Sequence, residues 1–247
     1  MAEWTIGTVV EKIQWTAELF SLRFEAEVDE FRAGQFTRVG LDLDGERVAR
    51  PYSYVNAPDE PLLEIHFNIV PAGPLSNPLA SLEAGDNLWV QRQAGGLLTL
   101  DDLPPAQDLW LLATGTAVGP FLSILKTDAP WQRFAKVVLV QAARNEADLA
   151  YRSTIDDLRR EHADQLRYLP FTSREQLPGA LHGRIPAAIT DGRLEAEAGL
   201  ALSADASHVM LCGNAGMLTD TLAVLEQRGL RRHRRREPGH VSMEKYH

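Results

Sequence analysis

Two consecutive prolines, Pro104-Pro105 within Leu103-Pro104-Pro105-Ala106, divide this chain into two stretches with different hydrophobic periods. Before them, apolar and polar residues roughly alternate over short runs: Thr5–Trp15, Leu19–Ala26, Gln35–Asp42, Arg47–Val55, Leu62–Val70 and Asn87–Arg92. A period of two marks strands with one buried face. Turn signals such as Asp44-Gly45, Ala57-Pro58-Asp59 and Ala84-Gly85-Asp86 separate the runs. Six short strands at this spacing predict a closed antiparallel β-barrel. Ser76–Leu82 interrupts the pattern with Ser and Asn at a capping position, an early Pro78 and then apolar residues, which predicts a one- or two-turn helix.

After the prolines the runs become continuous and alternate with helical patterns. Leu109–Ala113, Lys136–Ala143, Leu166–Ser173 and His208–Cys212 read as buried strands. Thr116–Lys126, Ala147–His162, Ile185–Thr190 and Ala215–Arg228 read as helices, the second of them amphipathic. Strands alternating with helices predict βαβ units, hence a doubly wound parallel sheet covered on both faces. A chain of 247 residues can bury a core in each half, and the expected domains are 1–101 and 106–247.

Composition narrows the class. No apolar run reaches the length that spans a bilayer, and Met1-Ala2-Glu3-Trp4 lacks the pattern of a secretory signal, so a cytoplasmic, non-membrane protein is expected. The single cysteine, Cys212, leaves no internal disulfide, no cysteine-based metal site and no iron–sulfur cluster; no metal is expected. A net charge of -9 argues against a nucleic-acid partner, although Arg231-Arg232-His233-Arg234-Arg235-Arg236 is strongly basic.

The chemistry-bearing residues lie at two kinds of place. Arg50-Pro51-Tyr52-Ser53-Tyr54 closes the fourth strand. Alternation sends Arg50, Tyr52 and Tyr54 to one face and Ser53 to the other. A guanidinium, phenol rings and a hydroxyl can grip a flat phosphorylated cofactor; the same residues also suit ordinary barrel filling. Pro51 cannot donate to a ladder, so the strand cannot be fully paired on that side. Gly73-Pro74-Leu75-Ser76 leads into the short helix, whose first N–H groups are either an anion seat or a capped surface turn.

The second place is the carboxyl edge of the parallel sheet, where ligands of such folds bind. Thr114-Gly115-Thr116 follows the first of these strands, but Ala117 stands where a second glycine of a dinucleotide fingerprint falls, so the turn is a weak signal. Ala143-Arg144 and Ser173-Arg174 end the next two strands, and Arg184 precedes Ile185-Pro186. One such arginine is usually a solvated charge; three with a serine suit a dianionic phosphate. Arg144 stands in the region where an acidic residue would have favoured NAD through its ribose hydroxyl, so the set favours NADP(H). Cys212-Gly213-Asn214 ends the fourth strand, where a buried cysteine is ordinarily an apolar filler.

Arg50-Pro51-Tyr52-Ser53, Gly73-Pro74-Leu75-Ser76, Ala113-Thr114-Gly115-Thr116-Ala117-Val118-Gly119-Pro120, Leu211-Cys212-Gly213-Asn214 and the final Glu244-Lys245-Tyr246-His247 together resemble the motifs of the ferredoxin–NADP(+) reductase family, in family order and nearly end to end. The similarity is greatest to its compact bacterial ferredoxin/flavodoxin reductases. The resemblance implies FAD held by Arg50, Pro51, Tyr52, Ser53 and His66-Phe67-Asn68-Ile69, with its pyrophosphate on Pro74, Leu75 and Ser76 and near Thr116. It implies NADP(H) on Ala143, Arg144, Ser173, Arg174, Arg184, Asn214 and Asp220. Cys212 would lie beside the nicotinamide without a covalent role. Tyr246 would stack on the flavin and move aside for nicotinamide. Glu244 would relay protons with Ser53, where a tail carboxylate otherwise reads as solvated. His247 departs from relatives ending in tryptophan, which places its stacking on the adenine of FAD in question.

The activity so implied is exchange of electrons between NADPH and the one-electron carriers ferredoxin or flavodoxin by a monomer. Both carriers are acidic, and Arg231–Arg236 would steer them near a docking surface, if it is more than a solvated helix end. Two other readings stand beside it: a flavin reductase or oxygenase reductase component, and a flavin-based redox sensor.

Overall fold

The computed structural model describes residues 3–246. Its first sheet comprises β1 (Trp4–Gln14), β2 (Leu19–Glu25), β3 (Phe36–Leu43), β4 (Glu46–Ser53), β5 (Leu63–Asn68) and β6 (Asn87–Gln91), antiparallel throughout in the order β4-β3-β6-β1-β2-β5. The alternating residues Leu22, Phe24, Val39, Ile65 and Val90 meet inside it. The sheet curls until its edge strands meet, and closure is confined to a Tyr54↔Ile65 bridge and the Val55 N–H donating to the Glu64 carbonyl at 2.9 Å. The barrel is therefore closed at one corner only. The short helix α1 (Ser76–Ala80) caps it with Leu75 and Leu79.

The second sheet comprises β7 (Asp108–Thr114), β8 (Lys136–Ala143), β9 (Leu166–Thr172), β10 (Leu181–His182), β11 (Ser207–Gly213) and β12 (Val241–Lys245), all parallel in the order β10-β9-β8-β7-β11-β12. The continuous apolar runs are explained by burial on both faces. On β7, Leu109, Leu111 and Ala113 join one core with α2 (Gly119–Leu125) and α4 (Arg152–Glu161), while Trp110 and Leu112 join the other with α5 (Ile185–Thr190) and α7 (Ala215–Gln227). The first core also takes Leu19 and Val55 from the barrel and Leu98, Leu100 and Leu103 from the connection. The two sheets thus share buried apolar surface. Among the described residues no helix is long and apolar enough to cross a membrane.

Several expected elements differ. The helix expected over Ala147–His162 begins only at Arg152, because Leu149, Ala150 and Tyr151 turn inward and Tyr151 has φ of +65°. The helix expected from Thr116 starts as a tight 3₁₀ turn, Gly115–Val118, before α2. Helices α3 (Ala129–Arg133) and α6 (Arg193–Ala198) and strands β10 and β12 were not expected. The arginine run lies not on a helix but in the loop between α7 and β12.

Candidate functional site

The order of the parallel sheet reverses at β7, whose neighbours β8 and β11 are reached in opposite directions. A crevice opens beyond the carboxyl ends of strands at such a point. Here the barrel covers one side of it, leaving a cleft of 980 Å³ between the two sheets.

Arg50, Pro51 and Tyr52 on β4, Phe67 and Asn68 on β5, and Pro74, Leu75 and Ser76 line its barrel side. β4 is an edge strand, so Pro51 leaves no ladder partner unsatisfied. Tyr52 meets Phe67 edge-on at 5.9 Å. Burial pushes its hydroxyl up to about 12, against the opposing pull of Arg50, so it is a donor at neutral pH. Tyr54, by contrast, stacks on Phe31 at 4.1 Å inside the barrel core. Ser53 is buried and does not line the cleft. The Ser76 hydroxyl is engaged locally, accepting from the Val70 N–H at 2.8 Å.

Ala143, Arg144, Ser173, Arg174, Arg184, Asn214 and Asp220 line the opposite side, together with Thr116. The ends of β8 and β9 are tied together, with the Ser173 N–H donating to Ala143 O at 3.2 Å and the Arg174 N–H to Arg144 O at 2.9 Å. That pairing sets the two arginines side by side. Among the described residues, none of Arg50, Arg144, Arg174 and Arg184 has a carboxylate within 4.0 Å, whereas Arg23, Arg92, Arg152 and Arg228 are all ion-paired. Asn214 caps α7, its Oδ1 accepting from the Met217 N–H at 3.0 Å.

β12 carries the tail across the cleft. The Tyr246 N–H donates to Gly213 O at 2.9 Å, and its hydroxyl donates to His66 O at 3.1 Å. Burial raises the Tyr246 hydroxyl well above its usual range. Cys212 and Glu244 stand opposite each other in the register and lie behind the lining residues. Burial, then Glu244, pushes the Cys212 thiol far up, so it stays protonated. Burial raises Glu244 to about 7, against a hydrogen bond from the Leu97 backbone. The His66 imidazole and Ile69 do not line the cleft. His247 lies outside the described residues.

Sequence reasoning missed Met217, Pro186 and Gly96. Met217 and Pro186 line the cleft from the first turns of α7 and α5. Gly96 has φ of +100°, and a Cβ there would come within 3.0 Å of Glu244 Oε2. The double glycine Gly95-Gly96 was the available signal.

Family models extend the comparison. Residues 8–97 match the oxidoreductase FAD-binding domain and residues 111–222 the oxidoreductase NAD-binding domain. A flavodoxin/ferredoxin–NADP reductase of Escherichia coli K12 is 49% identical over 221 residues, covering 90% of this chain and 89% of that one. The chain belongs to the ferredoxin–NADP reductase family. A family member of Pseudomonas aeruginosa, a ferredoxin–NADP reductase, is 36% identical over 94% of this chain and 93% of its own. The crystal structure of a ferredoxin NADP+ reductase from Neisseria gonorrhoeae with bound FAD and NADP superposes with a TM-score of 0.94 at 30% identity, covering 99% of each chain.

The cleft of this reductase fits both groups by its own chemistry. Among the described residues, guanidinium groups without carboxylate partners stand on both of its sides, the barrel side is aromatic, and Thr114 Oγ1 is buried beside it without a partner. A Cβ on Gly213 would fall 2.3 Å from that same Thr114 oxygen, so only glycine keeps this corner open.

Proposed function

We propose that this chain is an FAD-dependent reductase that exchanges electrons between NADPH and ferredoxin or flavodoxin. One observation supports it above others: four arginines without carboxylate partners among the described residues converge on an aromatic-lined cleft at the switch point of the parallel sheet. Arg50, Pro51, Tyr52, Phe67, Asn68 and the Pro74–Ser76 turn hold FAD from the barrel, with Ser53, His66 and Ile69 supporting them from behind. Arg144, Ser173, Arg174 and Arg184 hold the 2′-phosphate of NADP(H), with Ala143, Asn214 and Asp220 beside the rest of the nucleotide. When bound, FAD supplies the conversion between a two-electron hydride and single electrons.

The protein's own residues do the rest. Charge-assisted, bidentate hydrogen bonds select a phosphate over a hydroxyl. The Tyr246 ring covers the cleft from the nucleotide side and excludes water until the nicotinamide takes its place. Gly213 admits close approach of that ring to the backbone. Glu244, raised toward neutrality, holds or releases a proton behind the cleft with Ser53. Residues 1–101 and 106–247 are the two functional domains of a cytoplasmic monomer.

Anaerobic absorption spectra of the purified protein test the reading, with one equivalent of NADPH in one cuvette and NADH in another. Fast bleaching of a yellow protein by NADPH and slow bleaching by NADH is the expected result. Equal bleaching removes the 2′-phosphate assignment, and a colourless protein that takes up no FAD removes the whole reading.

A further inference from the structure

A second polar cluster joins the two halves away from the cleft. Tyr151, just before α4, is 2% exposed. Its φ of +65° puts an aromatic side chain in the left-handed region, which persists only where the surroundings over-determine it. Its hydroxyl reaches the outer face of β2 and β5, donating to Glu64 Oε1 at 2.6 Å and lying 2.6 Å from Ser21 Oγ.

The donors fix the direction of every bond. The Trp15 Nε1–H donates to Ser21 Oγ at 2.9 Å, and the Ser21 hydroxyl donates to the Tyr151 oxygen. Tyr151 donates to one oxygen of Glu64, and the Arg23 Nε–H donates to the other at 3.0 Å. Each of these groups has a partner, which buried polar groups require.

The cluster continues to the cleft through His66. Its Nδ1 is 3.0 Å from Phe20 O and 3.0 Å from Ser21 Oγ. A carbonyl only accepts, so Nδ1 carries the proton. The Tyr151 ring meets the His66 ring edge-on at 5.0 Å, and Trp15 backs Tyr151 at 4.7 Å. The carbonyl of this clamped residue is the one that accepts from Tyr246.

We propose that Tyr151 is a positioning residue for the reductase reaction: its hydroxyl locks the parallel-sheet half onto the barrel and, through Ser21 and His66, fixes the carbonyl that seats Tyr246. The inference rests on the role given above to Tyr246. Loosening the seat makes it easier for nicotinamide to displace the ring, so KM for NADPH falls. It also orients the ring less well, so kcat falls too.

The test uses the FAD-loaded protein. Tyr151→Phe keeps the ring and removes the hydroxyl; Ile155→Val, in the core of α4, serves as a control for simple loss of stability. Tyr151→Phe should lower KM for NADPH by about threefold, the scale of one hydrogen bond. It should also speed amide exchange over residues 241–246 and change the visible circular dichroism of the flavin. The control should lower Tm alone. If Tyr151→Phe moves Tm but neither KM nor the exchange, the positioning role is overturned. Ser21→Ala breaks the same relay and must move KM in the same direction, which keeps the test open if Tyr151→Phe does not fold. Tyr246→Phe separates the two layers of the argument. If Tyr246→Phe leaves KM unmoved, the seat itself fails; if it moves KM and Tyr151→Phe does not, only the relay fails.

Discussion

The Tyr246 hydroxyl and the His66 carbonyl, 3.1 Å apart, join the last strand of the parallel sheet to the fifth strand of the barrel. On the role proposed for Tyr246, the bond places an aromatic ring where nicotinamide must come to reach the flavin. Removing the ring should therefore free that place. Tyr246→Gly is expected to bind NADP+ at least about tenfold more tightly, the scale of burying a ring's worth of apolar area without displacing another ring. Slower turnover should accompany it, as product leaves late. Titration of the oxidised holoprotein by difference spectroscopy reads the affinity; an unchanged value would mean that the ring does not stand in the nicotinamide's way.

The arginines on the opposite wall have a sharper signature. Each charge-assisted hydrogen bond to a phosphate contributes about 1.5–3 kcal/mol. Arg144→Ala, Arg174→Ala and Arg184→Ala should each raise KM for NADPH by about 10- to 100-fold, while leaving KM for NADH within about twofold. Parallel losses for both nucleotides would mean that these side chains hold the fold or the pyrophosphate, not the 2′-phosphate.

Most of this wall was legible in the sequence, because ends of buried strands announce themselves and a parallel sheet puts all its carboxyl ends on one edge. Arg144, Arg174 and Arg184 needed only that argument. The barrel strands were legible for the same reason, each to within a few residues. Tyr54 was misplaced although it shares the face of Tyr52, because the curled sheet closes at Tyr54, whose bridge to Ile65 carries its ring into the barrel core. Tyr151 was hidden inside a good amphipathic pattern, since nothing local marks a tyrosine that leaves the helix to bond Glu64 and Ser21 far along the chain. The tail strand β12 was missed because its partner, β11, is fixed only by tertiary structure.

Burial lowers the His66 imidazole to about 4, with only the Phe20 carbonyl opposing, and its folded form is neutral. A histidine depressed in the folded state contributes stability that is present above its unfolded value near 6.5 and is lost as pH falls toward 4. Glu244 has the opposite sign: raised to about 7, it favours the folded state below its ordinary carboxyl range and disfavours it as pH climbs through neutrality. The two effects overlap, so a difference between variants is the clean readout. Between pH 7.5 and 5, the wild-type protein should lose about 2 kcal/mol of unfolding free energy more than His66→Gln does. Urea unfolding at the two pH values measures it. Equal pH dependence in both proteins would show that His66 is solvated or already protonated.

The place of Arg231–Arg236 in the fold suits action at a distance. Arg232 bridges to Val241, which pairs with Val209 near the amino-terminal end of β11, while the cleft lies past Gly213. Four strand residues separate the two, about 13 Å at the rise of a strand. A carrier seated directly on the run would be held off the cleft, so its position favours long-range steering of an acidic partner over docking. Charge reversal with Arg232→Glu and Arg235→Glu should then lower kcat/KM for a ferredoxin or flavodoxin about tenfold at low ionic strength, through KM, with kcat preserved. The loss should fade above about 0.5 M salt, where the screening length is a few ångströms. Reduction of a neutral quinone by the same variant should be unchanged. A fall in kcat that persists at high salt would put the carrier on the run itself, and an equal loss with the quinone would remove any role for it in carrier recognition.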